Sequence, residues 1–227
     1  MLTRLIGVAL LAGLLAGVVT ALIQYRLIEP LILSAETLEK APPNHVGMDM
    51  PATPAFAKNS AEAMLSRVGV TAVATVGVAV GYALMLLASM LGSEARIDVR
   101  TGLIWGACGF AACGLAPALG LAPELPGSAA ADLTARQIWW IATAFATACG
   151  LWLVLCGGKQ WMAALGVLLL LAPQIIGAPQ PAAPSSTVPA ETAAAFAARS
   201  LGTQAILWLL IGSTTGWLWS RPQGVRR

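Results

Sequence analysis

The sequence predicts an all-α protein: a polytopic helical bundle of about six transmembrane helices, forming a single transmembrane domain over residues 1–227. Three observations carry that prediction. Hydrophobic residues make up 58% of the chain and charged residues 10%, whereas soluble domains are about a quarter charged. The mean hydropathy is +0.78. Apolar runs, each near the roughly 20 residues that a helix needs to cross a bilayer, recur between short polar segments that hold the charges.

The first span, 5–24, follows Arg4 and contains Val19-Thr20-Ala21, which would pass as a signal-peptidase site. Its apolar run exceeds the usual core of about 7–15 residues in a signal peptide. Ala9, Gly13, Gly17 and Ala21 recur every fourth residue, the small-residue stripe that lets membrane helices approach closely. The segment therefore reads as a retained helix. Pro30 ends or kinks it, and residues 31–40 can form a short amphipathic helix. On that helix Glu29, Glu36 and Glu39 fall within about 80° of one another, as an acidic face at the membrane surface or a plain solvated face.

Residues 41–66 read as an extramembrane loop, because Pro42, Pro43, Pro51 and Pro54 punctuate its first part. The loop holds the lone histidine in Asn44-His45-Val46-Gly47-Met48-Asp49-Met50. The imidazole of His45, the thioethers of Met48 and Met50 and the carboxylate of Asp49 form a donor set that suits a borderline or soft transition metal. A linker with no ligand role is the other reading.

The second span, 68–91, carries Gly69, Gly77 and Gly81 on one stripe, and a short charged loop leads to the third, 102–119, with Gly102 and Gly106 as a close-packing pair. The third span runs into Leu115-Ala116-Pro117-Ala118-Leu119-Gly120-Leu121-Ala122-Pro123-Glu124-Leu125-Pro126-Gly127. Pro117 has no N–H and releases carbonyl oxygens near the membrane boundary. Those oxygens, with Glu124 as the only acid of the stretch, are what a hard or borderline cation needs, and Glu124 is expected to meet either such a cation or Arg136; a turn that aims the next helix is the plainer reading. The fourth span, 138–156, opens on the interfacial anchor Trp139-Trp140. Gly157-Gly158-Lys159 connects it to the fifth, 161–176, which Pro173 breaks next to Gln174, and the sixth covers 201–219.

Several function classes are excluded. There is no phosphate-binding glycine loop, because Gly158-Lys159-Gln160 lacks the partner glycine and the hydroxyl. The middle of each span is free of Asp, Glu, Lys and His, which argues against a carboxylate proton relay. No His–Glu helix motif or paired nucleophile is present, so no enzyme activity and no organic cofactor are expected. The basic residues build no stripe for nucleic acid. Cys108, Cys113, Cys149 and Cys156 lie in apolar segments and read as free thiols. Thr20, Gln24, Thr71, Thr75, Thr143, Thr147, Gln174 and Thr214 read first as helix–helix hydrogen-bonding groups.

With six spans, one side of the membrane holds Arg4, Arg96, Arg100, Lys159, Arg221, Arg226 and Arg227 against Glu94 and Asp98. Lys/Arg bias in short loops puts that side, and both termini, in the cytoplasm. The acids Glu29, Glu36, Glu39, Asp49, Glu62, Glu124, Asp132 and Glu191 fall outside, so both proline breaks open toward a cation-attracting face.

Leu115 to Gly120, Pro123-Glu124-Leu125-Pro126-Gly127, Arg136-Gln137-Ile138-Trp139-Trp140, Gly150-Leu151-Trp152-Leu153, Gly177-Ala178-Pro179-Gln180-Pro181 and Leu31-Ile32-Leu33-Ser34-Ala35-Glu36 resemble the bacterial CbtA family of predicted cobalt transporter subunits. The resemblance implies a multi-pass protein of the bacterial inner membrane that supplies Co²⁺ for cobalamin synthesis. It also implies a very small CbtB-like partner with one span and a histidine-bearing tail. The methionines beside His45 suit Cu(I) as well, so copper and nickel stand as alternative cargoes, and a non-conducting membrane scaffold as an alternative role.

Overall fold

The computed structural model describes residues 1–40, 54–94, 96–182 and 186–221. The described residues are mostly helical, with no strand among them. In chain order the elements are α1 (Leu2–Leu27), α2 (Glu29–Lys40), α3 (Pro54–Gly92), α4 (Val99–Phe110), a π-helical turn (Ala111–Leu115), α5 (Ala116–Ala118), α6 (Leu133–Cys156), α7 (Gln160–Ile176) and α8 (Ala190–Ser220). Five of these rods are long and apolar enough to cross a membrane: α1 continued by α2, α3, α4 through α5, α6 and α8. The 17 residues of α7 rise about 26 Å, slightly short of a hydrocarbon core of about 30 Å.

Two boundaries differ from the sequence expectation. Residues 54–66, read as loop, are the first turns of α3, which begins at Pro54. Proline marks a helix start as readily as a loop, since its missing N–H has no partner to lose at the first helical position. At 39 residues, α3 is about 58 Å long, nearly twice the hydrocarbon thickness, so it projects well beyond the bilayer. The last helix likewise starts at Ala190, eleven residues before the expected span.

α1, α3, α4 and α8 pack through glycine and alanine. A methyl group at Gly13 of α1 would run into the Val80 backbone of α3, and one at Gly17 would stand 2.7 Å from Val76 Cα. Ala9, Ala12 and Ala16 are fully buried on the same stripe. On the other side, Gly102 and Gly106 of α4 meet the backbone of Gly212 and Trp208 on α8. Leu87, Met90 and Ile211 fill the space between, and the Tyr82 and Trp208 rings stack at 4.5 Å. The stripe of Gly69, Gly77 and Gly81 on α3, by contrast, has no neighbour within 4 Å. α1 already supplies the small residues there, and α3 answers with valine and alanine.

α6 and α7 form a second unit whose backbones meet at Gly150 and Gly166, where an added methyl at Gly150 would lie 2.8 Å from the Gly166 carbonyl. It joins the rest through the π turn and α5 and through the edge-on pair Trp105–Trp152 at 5.6 Å. Leu10, Leu14, Phe145, Leu155 and Ile175 stay exposed on the outer surface, as a lipid-facing belt requires.

The start of α1 and the end of α8 lie together at one end. Arg4 donates to the Trp219 carbonyl and stacks over its ring, 4.4 Å from the centroid. At this terminal end Asp98 caps α4 by accepting the Thr101 N–H at 2.8 Å, and that hydrogen bond holds its carboxyl below the ordinary range. The four cysteines are free thiols. Thr75 donates to Gln24 Oε1 at 2.8 Å and so joins α3 to α1.

Candidate functional site

The opposite, loop end is where regular backbone fails. After Phe110 the helix widens into a π turn, so that the Ala116 N–H reaches back five residues to the Ala111 carbonyl. The next residue is Pro117, which has no N–H. The Ala112 carbonyl therefore loses both its four-residue and its five-residue donor, and the Cys113 carbonyl loses its four-residue donor. Pi turns of this kind concentrate at functional positions. The chain then tightens, with the Gly120 and Leu121 N–H groups both on the Pro117 carbonyl at 3.2 and 2.8 Å.

The second proline comes to the first, although α7 is not broken there: it runs through Pro173 to Ile176 and ends at Gly177. Pro173 lies buried inside α7, and Gln174 beside it donates from Nε2 to the Ala116 carbonyl at 3.0 Å. Gly120 sits under the Trp139 ring, where a methyl would lie 2.6 Å from the indole and 2.8 Å from Ala178. Residues distant in sequence, Ala116 through Gly120, Trp139 and Pro173 through Ala178, thus form one junction of α5, α6 and α7.

Glu124 is held beside this junction because Leu125, its neighbour, is buried against Ala35 of α2 and Val188. Its carboxylate accepts from Arg136 Nη2 at 2.8 Å, both side chains being 27% exposed. The Arg136 Nε–H and the Trp139 Nε1–H are buried without a hydrogen-bond partner. A cavity of about 490 Å³ opens next to the pair between α6, the π turn and α8, and Cys113, Gly114, Arg136, Gln137, Trp140 and Gln204 contribute to its walls.

The other carboxylates meet a second arginine. Glu36 takes Arg67 at 2.9 and 3.0 Å, and Glu29 lies 3.8 Å from the same guanidinium. The acidic face expected at Glu29 and Glu36 is therefore closed over by a cation from α3. His45, Met48, Asp49 and Met50 lie outside the described residues. Among the described residues no group of three or more His, Cys, Asp and Glu side chains could hold a metal.

Sequence reasoning missed Gln137, Gln204, the placement of Cys113, and Arg67; Arg136 was one of the two partners expected for Glu124, and the structure pairs them. The signal was present for the first two: an uncharged amide inside an apolar helix needs a polar neighbour. For Arg67 no periodicity gives the partner, since it pairs with acids on a different element. Chemically, the junction offers neutral carbonyl and amide oxygens plus one carboxylate, and a cation must compete with Arg136 for that carboxylate.

No curated protein and no solved structure matches the chain. The family described as a probable cobalt transporter subunit (CbtA) matches residues 2–220, a stretch that takes in α1 through α8 with Pro117 and Pro173. The chain therefore belongs to the CbtA family, described as probable cobalt transporter subunits.

Proposed function

We propose that the chain admits Co²⁺ through the loop-end junction into the cytoplasm of a bacterium, for cobalamin synthesis, together with a small CbtB-like single-span protein. The observation that carries this reading is the meeting of the two proline-bearing segments, where Gln174 reaches the Ala116 carbonyl and the Glu124–Arg136 pair stands beside a 490 Å³ cavity. In this reading the terminal end faces the cytoplasm, because its short segments carry Arg96, Arg100 and Lys159. The incoming cation draws Glu124 away from Arg136, and the carbonyls of Ala112 and Cys113 replace part of its water. The membrane potential supplies the drive. At 100 mV, negative inside, two charges gain about 4.6 kcal/mol, enough for accumulation on the order of a thousandfold.

The loop carrying His45, Met48, Asp49 and Met50 acts in this scheme as a collector that raises the local metal concentration, while Glu29 and Glu36 form an electrostatic rim shared with Arg67. The test is uptake of labelled Co²⁺, Ni²⁺ and Cu⁺ by cells that express the chain with and without its small neighbour. Cobalt is expected to accumulate most when both are present, and replacing His45, Met48 and Met50 by alanine should weaken uptake at limiting cobalt but not at saturating cobalt. No metal-dependent difference from empty cells would overturn the transport reading and leave a scaffold; preference for copper or nickel would change the cargo.

A further inference from the structure

Seven buried polar side-chain atoms among the described residues have no hydrogen-bond partner, and four of them belong to α6: Arg136 Nε, Trp139 Nε1, Thr143 Oγ1 and Thr147 Oγ1. At 100° per residue these four residues fall within about 80° of one another, on one face. Thr143 is 0% and Thr147 3% exposed. Thr203 and Thr214 of α8 donate one turn back, to the Arg199 carbonyl at 2.8 Å and to that of Leu210 at 2.5 Å, whereas Thr20 of α1 and Thr215 of α8 are single unpartnered hydroxyls on their helices. Thr143 and Thr147 make no such bond. Leaving four such groups dry in one interface would consume a large share of a domain's marginal stability.

The surroundings say what meets them. This face of α6 is the one turned to α7 and to the π turn and α5, whose Ala112 and Cys113 carbonyls have lost their normal donors. At its loop end it starts from Arg136, which also lines the cavity. From there to Thr147 it descends about 16 Å, half the thickness of a hydrocarbon core. It stops one turn further, where the backbones of Gly150 and Gly166 close on each other. Unpartnered donors and hydroxyls along one buried face, beside carbonyls that have lost their normal donors, with the cavity at one end through Arg136 and the Gly150–Gly166 contact at the other, are the arrangement expected of a wet, dead-ended half-channel.

We infer that the Trp139–Thr143–Thr147 face of α6, covered by α7 and the π turn, is a water-filled track that takes a partly dehydrated divalent cation from the loop-end cavity to the middle of the bilayer. The Trp139 N–H holds water at the entrance, and the two hydroxyl oxygens, with the freed carbonyls, replace water around the ion. The cation part of this assignment rests on the transport reading; the water part does not.

The track is tested in full-length protein in its membrane, with Cys108, Cys113, Cys149 and Cys156 replaced by alanine and a single cysteine placed at 143, 147 or the lipid-facing position 145. Thr143→Cys and Thr147→Cys should react with a small cationic methanethiosulfonate at least tenfold faster than Phe145→Cys, and added cobalt chloride should slow both reactions. Equal rates at 147 and 145 would overturn the track, and labelling that cobalt leaves unslowed would remove the cation from it. In the wild-type background, Thr143→Val with Thr147→Val should lower cobalt uptake at least tenfold at unchanged protein level, and serine at both positions should restore it. Valine variants that transport normally would overturn the ligand role of the hydroxyls. If the unsubstituted chain moves no cobalt at all, the transport reading fails, and the labelling rates still decide the track.

Discussion

Where α4 meets α8, two backbones touch through Gly102 and Gly212, and Gly106 lies against the Trp208 carbonyl. Where α5, α6 and α7 meet, backbone contact is confined to Gly150 and Gly166, and above it the interface holds two prolines, a π turn and a row of polar atoms without partners. Both regions use small residues to bring helices together in lipid, where dispersion and close fit replace the hydrophobic effect between helices. The second also leaves two hydroxyls and an indole N–H of α6 without partners along one face, and in a bilayer such groups persist only where protein or water covers them. A membrane protein can thus separate its structural seam from its wet one at nearly constant composition.

The largest effect is expected from breaking the structural seam. In Gly212→Leu the new Cβ meets the Gly102 carbonyl and lies 3.1 Å from Gly106 Cα, and backbone cannot step aside as a flexible side chain can. Overpacking costs about 1–3 kcal/mol even where side chains can adjust, so loss of folded protein from the membrane by about tenfold or more is expected. Size-exclusion profiles and membrane protein levels measure it; a normal level and profile would mean that α4 and α8 do not pack as described.

A more selective change sharpens the contrast from the wet side. The Glu124–Arg136 pair is partly exposed, so its contribution to folding is about 1 kcal/mol or less. If Glu124 also meets the cargo, Glu124→Gln should keep its membrane level while cobalt uptake falls about tenfold, and Arg136→Gln should harm uptake less. If the pair only fastens the loop to α6, both variants should lower protein levels together. Parallel immunoblots and uptake assays separate the outcomes, and normal transport by well-expressed Glu124→Gln protein would remove Glu124 from the pathway.

The sequence carried the membrane bundle because hydropathy is a property of single segments, and it carried the α1 stripe because Gly13 and Gly17 repeat on one face. It carried the irregularity beside Pro117 for the same reason, since that proline acts on its own helix, but it overstated Pro173, through which α7 continues to Ile176. The contact of Gln174 with the Ala116 carbonyl was open to view only in three dimensions, whereas Arg136 stood in the sequence as one of two partners for Glu124, and the structure shows that pair formed. The start of α3 was misread because Pro54 has two local meanings, loop breaker and first helical residue, and local information does not choose between them. The π turn at Ala111–Leu115 has no composition of its own; the missing N–H of Pro117 is its nearest trace in the sequence.

The smallest effect is expected where a glycine stripe is present and its partner is absent. Gly77 is exposed on α3 with no atom within 4 Å of the position a Cβ would take, whereas Gly13 of α1 lies against the Val80 backbone. Both glycines sit in apolar helices and both belong to small-residue stripes, so sequence pattern treats them alike. Gly77→Leu adds a side chain toward lipid, removes a poor helix former, and should change stability within about 0.5 kcal/mol, as surface substitutions do. Gly13→Leu should lose folded protein as Gly212→Leu does. Thermal melting in detergent and membrane levels for the pair test whether contact, rather than spacing, makes a glycine structural. A marked loss in Gly77→Leu would mean that the Gly69, Gly77 and Gly81 face is packed in the membrane after all, and that part of the molecule's seam is made with a second chain.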